Sequence, residues 1–425
     1  ADPVSDGYGR MLSISNLYFD PGDKSALETR WQSLNMTERA SRTAFTATKA
    51  KEVIAPNLPL IWDIPSVDGY GGGLLPTSYY TQFTSLLLPD GMPRTIDGRL
   101  RELLAQSTCN GACIPDRRWL NLTNTRYLLL DKTFDLWQDD VAYDTAFTLS
   151  AGESVTPYTD LVGTALHLLV EDIDEDSALS LNVGGESLSA EAVGTVSNFA
   201  LWRVELSEPQ SLQDVEISFE SNDNGIRLRA LTLVDERTGA FMQIPLGGWR
   251  LLLSSDIKLY ENTDVLPRAF LVSNLQTVPP DWNGTEAALH VMHDAEFDPL
   301  QRVVVAAEAS VEVSPDREAT NGNATITAAT DTTLEISVDN EQAALLVITD
   351  AWYPGWKAQV NGQPTELYRA DAMFRAVAVP AGQSTVTMIY APDWLNWIVP
   401  VGLIAWGLSG LWVVLVLLRR QPSPR

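Results

Sequence analysis

Residues Trp397–Leu418 read WIVPVGLIAWGLSGLWVVLVLL, an apolar run without a charged side chain that ends at Arg419 and Arg420. An α-helix rises 1.5 Å per residue, so roughly 20 apolar residues cross a bilayer, and this run is long enough. A buried core helix is usually shorter and carries a polar stripe, which is missing here. Trp394 and Trp397 stand at one end, where amphipathic rings favour the headgroup layer. The arginine pair at the other end favours the cytoplasm. The bulk of the chain, before Asp393, is therefore expected to be extracytoplasmic and the C-terminus cytoplasmic.

A polar region of this size needs a signal to cross a membrane, yet the first residues, ADPVSDGYGR, offer no basic n-region and no apolar h-region. The expectation is an N-terminal transmembrane region of the same protein that delivers this part. A removed signal peptide is the alternative.

The composition fits a folded extracytoplasmic protein. The 425 residues suggest two to four domains, and 45% hydrophobic content suffices for packed cores. With 29 basic against 55 acidic residues the net charge is -26, which argues against nucleic acid and against adhesion to anionic lipid. The only cysteines, Cys109 and Cys113, lie four apart in TCNGAC, where the Asn110-Gly111 turn can bring them together. A small disulfide in an oxidising compartment is expected. A metal site is the weaker alternative, since no second Cys or His pair lies nearby, and the spacing is not CxxC.

Ahead of the span, residues 321–392 read as a β-sandwich of about seven short strands, among them TLEISVD, ALLVITDA and STVTMIYAP, with an Asn-Gly hairpin signal in VNGQ. Its unusual piece is DAWYPGW, Asp350–Trp356, which gathers Trp352, Tyr353 and Trp356 in one turn. Rings there suit stacking on sugar or resting at the membrane surface, and packing inside the sandwich is the alternative. Residues 239–320 read as an α/β region packing back on residues 1–145. It holds strands Ile257–Tyr260 and Ala269–Val272 and a helix over Glu286–Asp294. That helix carries His290 and His293, read as surface histidines because no third metal ligand is evident.

Residues 146–238 alternate apolar and polar residues between Gly, Ser and Asn breaks, and five strand candidates (ALHLLVED, ALSLNVGG, LWRVELS, DVEISFES, IRLRALTLVDE) indicate an inserted, jelly-roll-like β-sandwich. Its acidic run DIDED lacks the Gly and terminal Glu of a calcium loop and reads as a solvated turn. Residues 1–145 mix both element types, with an amphipathic helix over Leu27–Thr37, a strand at Arg42–Ala47 and a buried strand at Tyr127–Leu130. Between them, DGYGGGLLPTSYY joins a glycine cluster to Tyr70, Tyr79 and Tyr80, whose hydroxyls and ring faces suit ligand contact as well as core packing. It has no GxxxxGK phosphate loop. The fold class is α+β, mainly β, closed by a transmembrane helix over 393–420. No GxSxG elbow or paired-carboxylate constellation stands out, so no catalytic residue is assigned.

The string from DAWYPGWKAQVNGQPTELYRADAMFRAVAVPAGQSTVTMIYAPDW into the apolar run resembles the C-terminal end of the YfhO-like bacterial membrane proteins. DGYGGGLLPTSYY, LNLTNTRYLLL and ENTDVLPRAFLV resemble, in order, landmarks of that family's extracytoplasmic part. The resemblance implies a polytopic cell-envelope protein related to GT-C glycosyltransferases, which move sugar from a polyprenyl-phosphate donor to an acceptor outside the membrane. The catalytic acid of such enzymes lies on an early external loop that this sequence lacks. This chain alone is thus expected to be non-catalytic and to hold no cofactor, with the bilayer, the N-terminal transmembrane region and a glycan or glycolipid acceptor as partners. Tyr70, Tyr79, Tyr80, Trp352, Tyr353 and Trp356 are the candidate acceptor contacts. The alternative is a membrane-tethered β-sandwich adhesion or scaffold protein without catalysis.

Overall fold

A computed structural model of the chain describes residues 9–15, 21–55, 58–68, 76–89, 91–92, 99–105, 109, 113–171, 178–221, 225–308 and 322–419. The architecture is mainly β with a few helices, as expected, and it divides into two compact units, residues 8–267 and 268–425.

In the first unit a four-stranded sheet runs in the order Arg10–Ser13, Thr125–Asp131, Ile257–Asn262, Trp249–Ser254, with only the first pair parallel. Leu128, Leu129 and Leu130 are buried in its second strand, as their unbroken apolar run requires. Helices of this unit include Pro21–Ser33, Glu38–Glu52 and Arg117–Leu122. The first begins six residues ahead of the amphipathic stretch read from the sequence, and the chain leaves it through Asn35 at φ 53°.

The stretch Arg42–Ala47, expected as a strand, lies inside helix Glu38–Glu52. Thr37 caps that helix by accepting a hydrogen bond from Ala40 N, Glu38 opens it and Lys49 and Lys51 close it. A side-chain cap and charges matched to the helix dipole outweigh the β preference of two threonines and a phenylalanine.

Residues 146–238, with the strand Ala240–Ile244 just beyond them, supply two antiparallel sheets. The larger orders Glu191–Val196, Phe199–Ser211, Val162–Glu171, Arg227–Asp235 and Ala240–Ile244, and the smaller orders Ser154–Val155, Ile217–Ser221, Leu179–Val183 and Glu186–Ser189. All five sequence candidates are strands. The larger sheet packs Leu169, Leu201, Ala230 and Val234 against Val141 and Tyr143 of a hairpin, Asp135–Gln138 with Val141–Asp144. Acidic run 172–176 lies outside the described residues.

The second unit stacks two sheets on one core. One orders Ala269–Val272, Ala344–Ile348, Phe374–Val379, Tyr368–Ala370, Arg302–Ala306 and Asn274–Val278, and the other Gly322–Ala329, Thr333–Asn340, Gly382–Tyr390, Trp356–Val360 and Gln363–Thr365. Leu271, Leu346, Ile348 and Val377 of the first meet Ile336, Val338, Val386 and Met388 of the second. Each such buried side chain contributes about 1.5–3 kcal/mol. Strand Thr333–Asn340 turns Leu334, Ile336 and Val338 inward and Glu335, Ser337 and Asp339 outward, the period of two read in TLEISVD. Asn361 and Gly362 turn the VNGQ hairpin with φ of 51° and 76°, the mirror-type turn that this pair favours.

Strand pairing divides the stretch 239–320. Trp249–Ser254 and Ile257–Asn262 belong to the first unit, while Ala269–Val272, Asn274–Val278 and Arg302–Ala306 complete a sheet of the second. Helix Trp282–Met292 makes the crossover between the parallel strands Asn274–Val278 and Arg302–Ala306, a connection with no local sequence signature. Helix Leu395–Arg419 ends the described chain. Its residues Leu395–Val416 are long and apolar enough to cross a membrane, and none of that window is buried.

Candidate functional site

The DAWYPGW turn is fastened at both ends. At its start Asp350 receives two parallel bonds from Arg268, 2.9 Å from Nε and 2.7 Å from Nη2, a fork that fixes orientation as well as distance. Arg375 Nε donates to Ala351 O at 3.0 Å, and Trp352 N donates to Met373 O at 2.6 Å. At its end Gly355 takes φ 109°, and its carbonyl accepts from Ala391 N at 2.8 Å. A Cβ there would lie 2.8 Å from Pro392 Cβ, so glycine permits both the backbone conformation and the close approach.

Two of the rings, Tyr353 and Trp356, meet on Tyr390. Trp356 lies under Arg375, whose guanidinium is 3.8 Å from the ring centroid, and against Tyr390 at 5.6 Å. Tyr353 meets Tyr390 from another side at 6.2 Å. Trp356 also packs on the core of the unit, while Trp352 is half-buried and Tyr353 is 49% exposed. The turn therefore presents Tyr353 outward and is anchored to the core through Trp356. Tyr390 ends the strand that leads through Pro392 to the apolar helix, and Lys357 pairs with Asp393 at 2.6 Å. Trp394 and Trp397, both exposed, follow at once. Rings and span are thus joined by a few residues.

The other tyrosine candidates belong to the first unit. Tyr79 and Tyr80 lie on the short helix Ser78–Phe83, capped by Thr77, and both are half-buried. Tyr80 donates its hydroxyl to Val67 O at 2.8 Å, which ties the helix to the segment before it. Tyr70 and the glycine cluster lie outside the described residues. Next to Val67, Asp68 accepts from Leu100 N at 2.9 Å, and burial pushes its carboxyl up to about 6. Cys109 and Cys113 are joined by a disulfide with their Cα atoms 5.2 Å apart. His290 and His293 are exposed, and no cluster of potential metal ligands occurs among the described residues.

Sequence reading passed over the polar groups that do most of the fixing. Lys258, 1% exposed, pairs with Asp135 and with Asp144 at 2.9 Å; Tyr260 donates to Asp144 at 2.6 Å, and Gln243 to Asp135 at 2.9 Å. Burial raises the pKa of Asp135 and Lys258 opposes the shift. Such a sealed network holds sheets together; it has no access to a substrate. Asp371 is a second case, fully buried, accepting from Val304 N at 2.9 Å, its carboxyl pushed by burial up to about 7. The signal for both was a charged residue inside an apolar strand or turn, and its partner is more than 60 residues away in the sequence.

Fold and site define a mainly β membrane protein with a ring-lined turn at the foot of its membrane helix. Residues 317–401 match the family described as bacterial membrane protein YfhO, a stretch that takes in the turn, its supporting strands and the start of the span. The likeness to that family is confined to this stretch. No curated protein shows a significant match. Among solved structures, the mycobacterial arabinofuranosyltransferase AftD is 12% identical over 81% of this chain and 26% of its own length, with a TM-score of 0.18. A variant of that enzyme is 12% identical over 62% of this chain and 15% of its own length, at TM-score 0.19. A β-glucuronidase of glycoside hydrolase family 2 is 10% identical over 63% and 27%, at 0.10. The chain thus spans a small part of each, and scores this low establish no common fold.

Proposed function

We propose that this chain is the extracytoplasmic part and last membrane helix of a polytopic, GT-C-related glycosyltransferase acting on cell-envelope glycans or glycolipids from a polyprenyl-phosphate sugar donor. In this reading the β-rich part positions the acceptor, and bond making belongs to the membrane region of the full-length protein. One observation carries it: the turn bearing Trp352 and Tyr353 is bonded to Ala391, four residues before the helix that begins at Leu395. A ring surface held beside a membrane span suits a sugar carried on a lipid, because aromatic faces stack on the apolar faces of sugars and tolerate the headgroup layer.

The test is binding of a lipid-linked oligosaccharide by the whole chain in nanodiscs. Replacing both Trp352→Ala and Tyr353→Ala is expected to weaken binding by about tenfold or more, since each stacked ring contributes on the order of 1 kcal/mol. Unchanged binding would move the acceptor site away from this turn.

A further inference from the structure

A cleft of about 540 Å³ opens in the first unit between the segment Gly152–Thr156 and the turn Gly247–Gly248. It goes beyond the acceptor reading, because it shares no residue with the ring turn. The two glycines have φ of 67° and 76° and shape its floor. A Cβ on Gly248 would lie 2.0 Å from Arg117 Nη1 and 2.6 Å from Asp264 Oδ2, so the ion pair rests directly on this glycine, whose φ favours glycine in any case. Arg117 and Asp264 meet at 2.8 Å with their side chains 38% and 50% exposed, and Arg117 also donates to Gly247 O. Thr263 Oγ1 donates to Gly248 O at 2.8 Å, and Glu153, on the facing wall, accepts from Ser150 N at 2.7 Å. Behind the turn, buried Trp249 stacks on Phe147 at 4.8 Å, which makes the floor rigid.

The lining selects by charge and by geometry. The lining carries two basic residues, Arg117 and Arg250, and two acidic ones, Glu153 and Asp264, and Arg250 is itself paired with Glu261 at 3.4 Å and lies over the Tyr158 ring, so neither a polyanion nor a polycation gains on entry. An exposed ion pair sets strong donors beside strong acceptors, the arrangement that a pair of neighbouring hydroxyls satisfies by donating to one partner and accepting from the other. The volume lies within the range of small-ligand sites, about 300–1,000 Å³. We propose that this cleft binds a neutral sugar residue of a glycan through its vicinal hydroxyls.

Maltose, cellobiose and α-1,6-mannobiose serve as probes for the whole chain in nanodiscs, read by saturation-transfer NMR and calorimetry. At least one is expected to bind, with a Kd on the order of 1 mM. Ser154→Trp, which fills the cleft from an exposed wall position, is expected to weaken binding by about tenfold or more. Asp264→Asn keeps the shape, removes the charged acceptor and should weaken it as well, which preserves the test if the tryptophan variant fails to fold. Inorganic phosphate should not compete. Absence of binding for all three sugars, binding that survives both cleft variants, or displacement by phosphate would each overturn the proposal.

Discussion

The guanidinium of Arg375 lies 3.8 Å from the centroid of the Trp356 ring while its Nε donates to Ala351 O at 3.0 Å. One side chain thus holds both ends of the ring turn, with the backbone before the rings bonded to it and the ring after them stacked beneath it. Arg375 stands on strand Phe374–Val379, which pairs with Ala344–Ile348, the strand that feeds the turn. The rings are therefore set by the core.

Arg375→Lys keeps the charge but gives up the planar stack and the Nε bond. The second unit is expected to lose about 1–2 kcal/mol, measured by urea unfolding in detergent. In a Trp356→Phe background the same change should cost less, because the two side chains act on each other.

Gly355→Ala meets Pro392 and a left-handed backbone at once. A loss of about 1–3 kcal/mol in thermal unfolding is expected. Protease cleavage between the turn and the span should rise, since the bond from Ala391 N to Gly355 O is the one that strain would break first.

Much of this arrangement was legible in the sequence because it is local. The span, the alternating strand Thr333–Asn340, the Asn361-Gly362 hairpin and the aromatic turn each announce themselves within a few residues. The pairs Arg268 with Asp350 and Lys258 with Asp135 do not, since 82 and 123 residues separate the partners and nothing in either neighbourhood names the other. The same reason hid the joining of Asn274–Val278 and Arg302–Ala306 to the last sheets. Arg42–Ala47 misled in the opposite sense, with a strand-like composition overruled by a cap at Thr37 just outside the window.

Asp371 makes stability depend on pH. Burial raises its carboxyl from 3.8 to about 7 in the folded chain, so between those values the unfolded chain has released a proton that the folded chain keeps. Its contribution is fully present below pH 3.8 and is lost as pH rises through about 7. Asp371→Asn keeps the acceptor for Val304 N and cannot ionise. The difference in melting temperature, variant minus wild type, should grow from pH 4 to pH 7; a constant difference would place the titration elsewhere.

Lys258→Met leaves Asp135 and Asp144 buried without their cation. The first unit is expected to lose about 3–5 kcal/mol in urea unfolding. Adding Asp135→Asn should recover part of the loss, because it removes one of the stranded charges.

The most direct measurement is the depth of the ring turn in a bilayer. The whole chain carrying Tyr353→Cys, labelled with an environment-sensitive fluorophore, goes into nanodiscs whose lipids bear quenchers at known depths. Quenching strongest from headgroup-level positions, and weakened by an added lipid-linked oligosaccharide, is the expected result. A label quenched only by aqueous reagents and indifferent to the glycolipid would contradict a turn that meets its acceptor at the membrane surface.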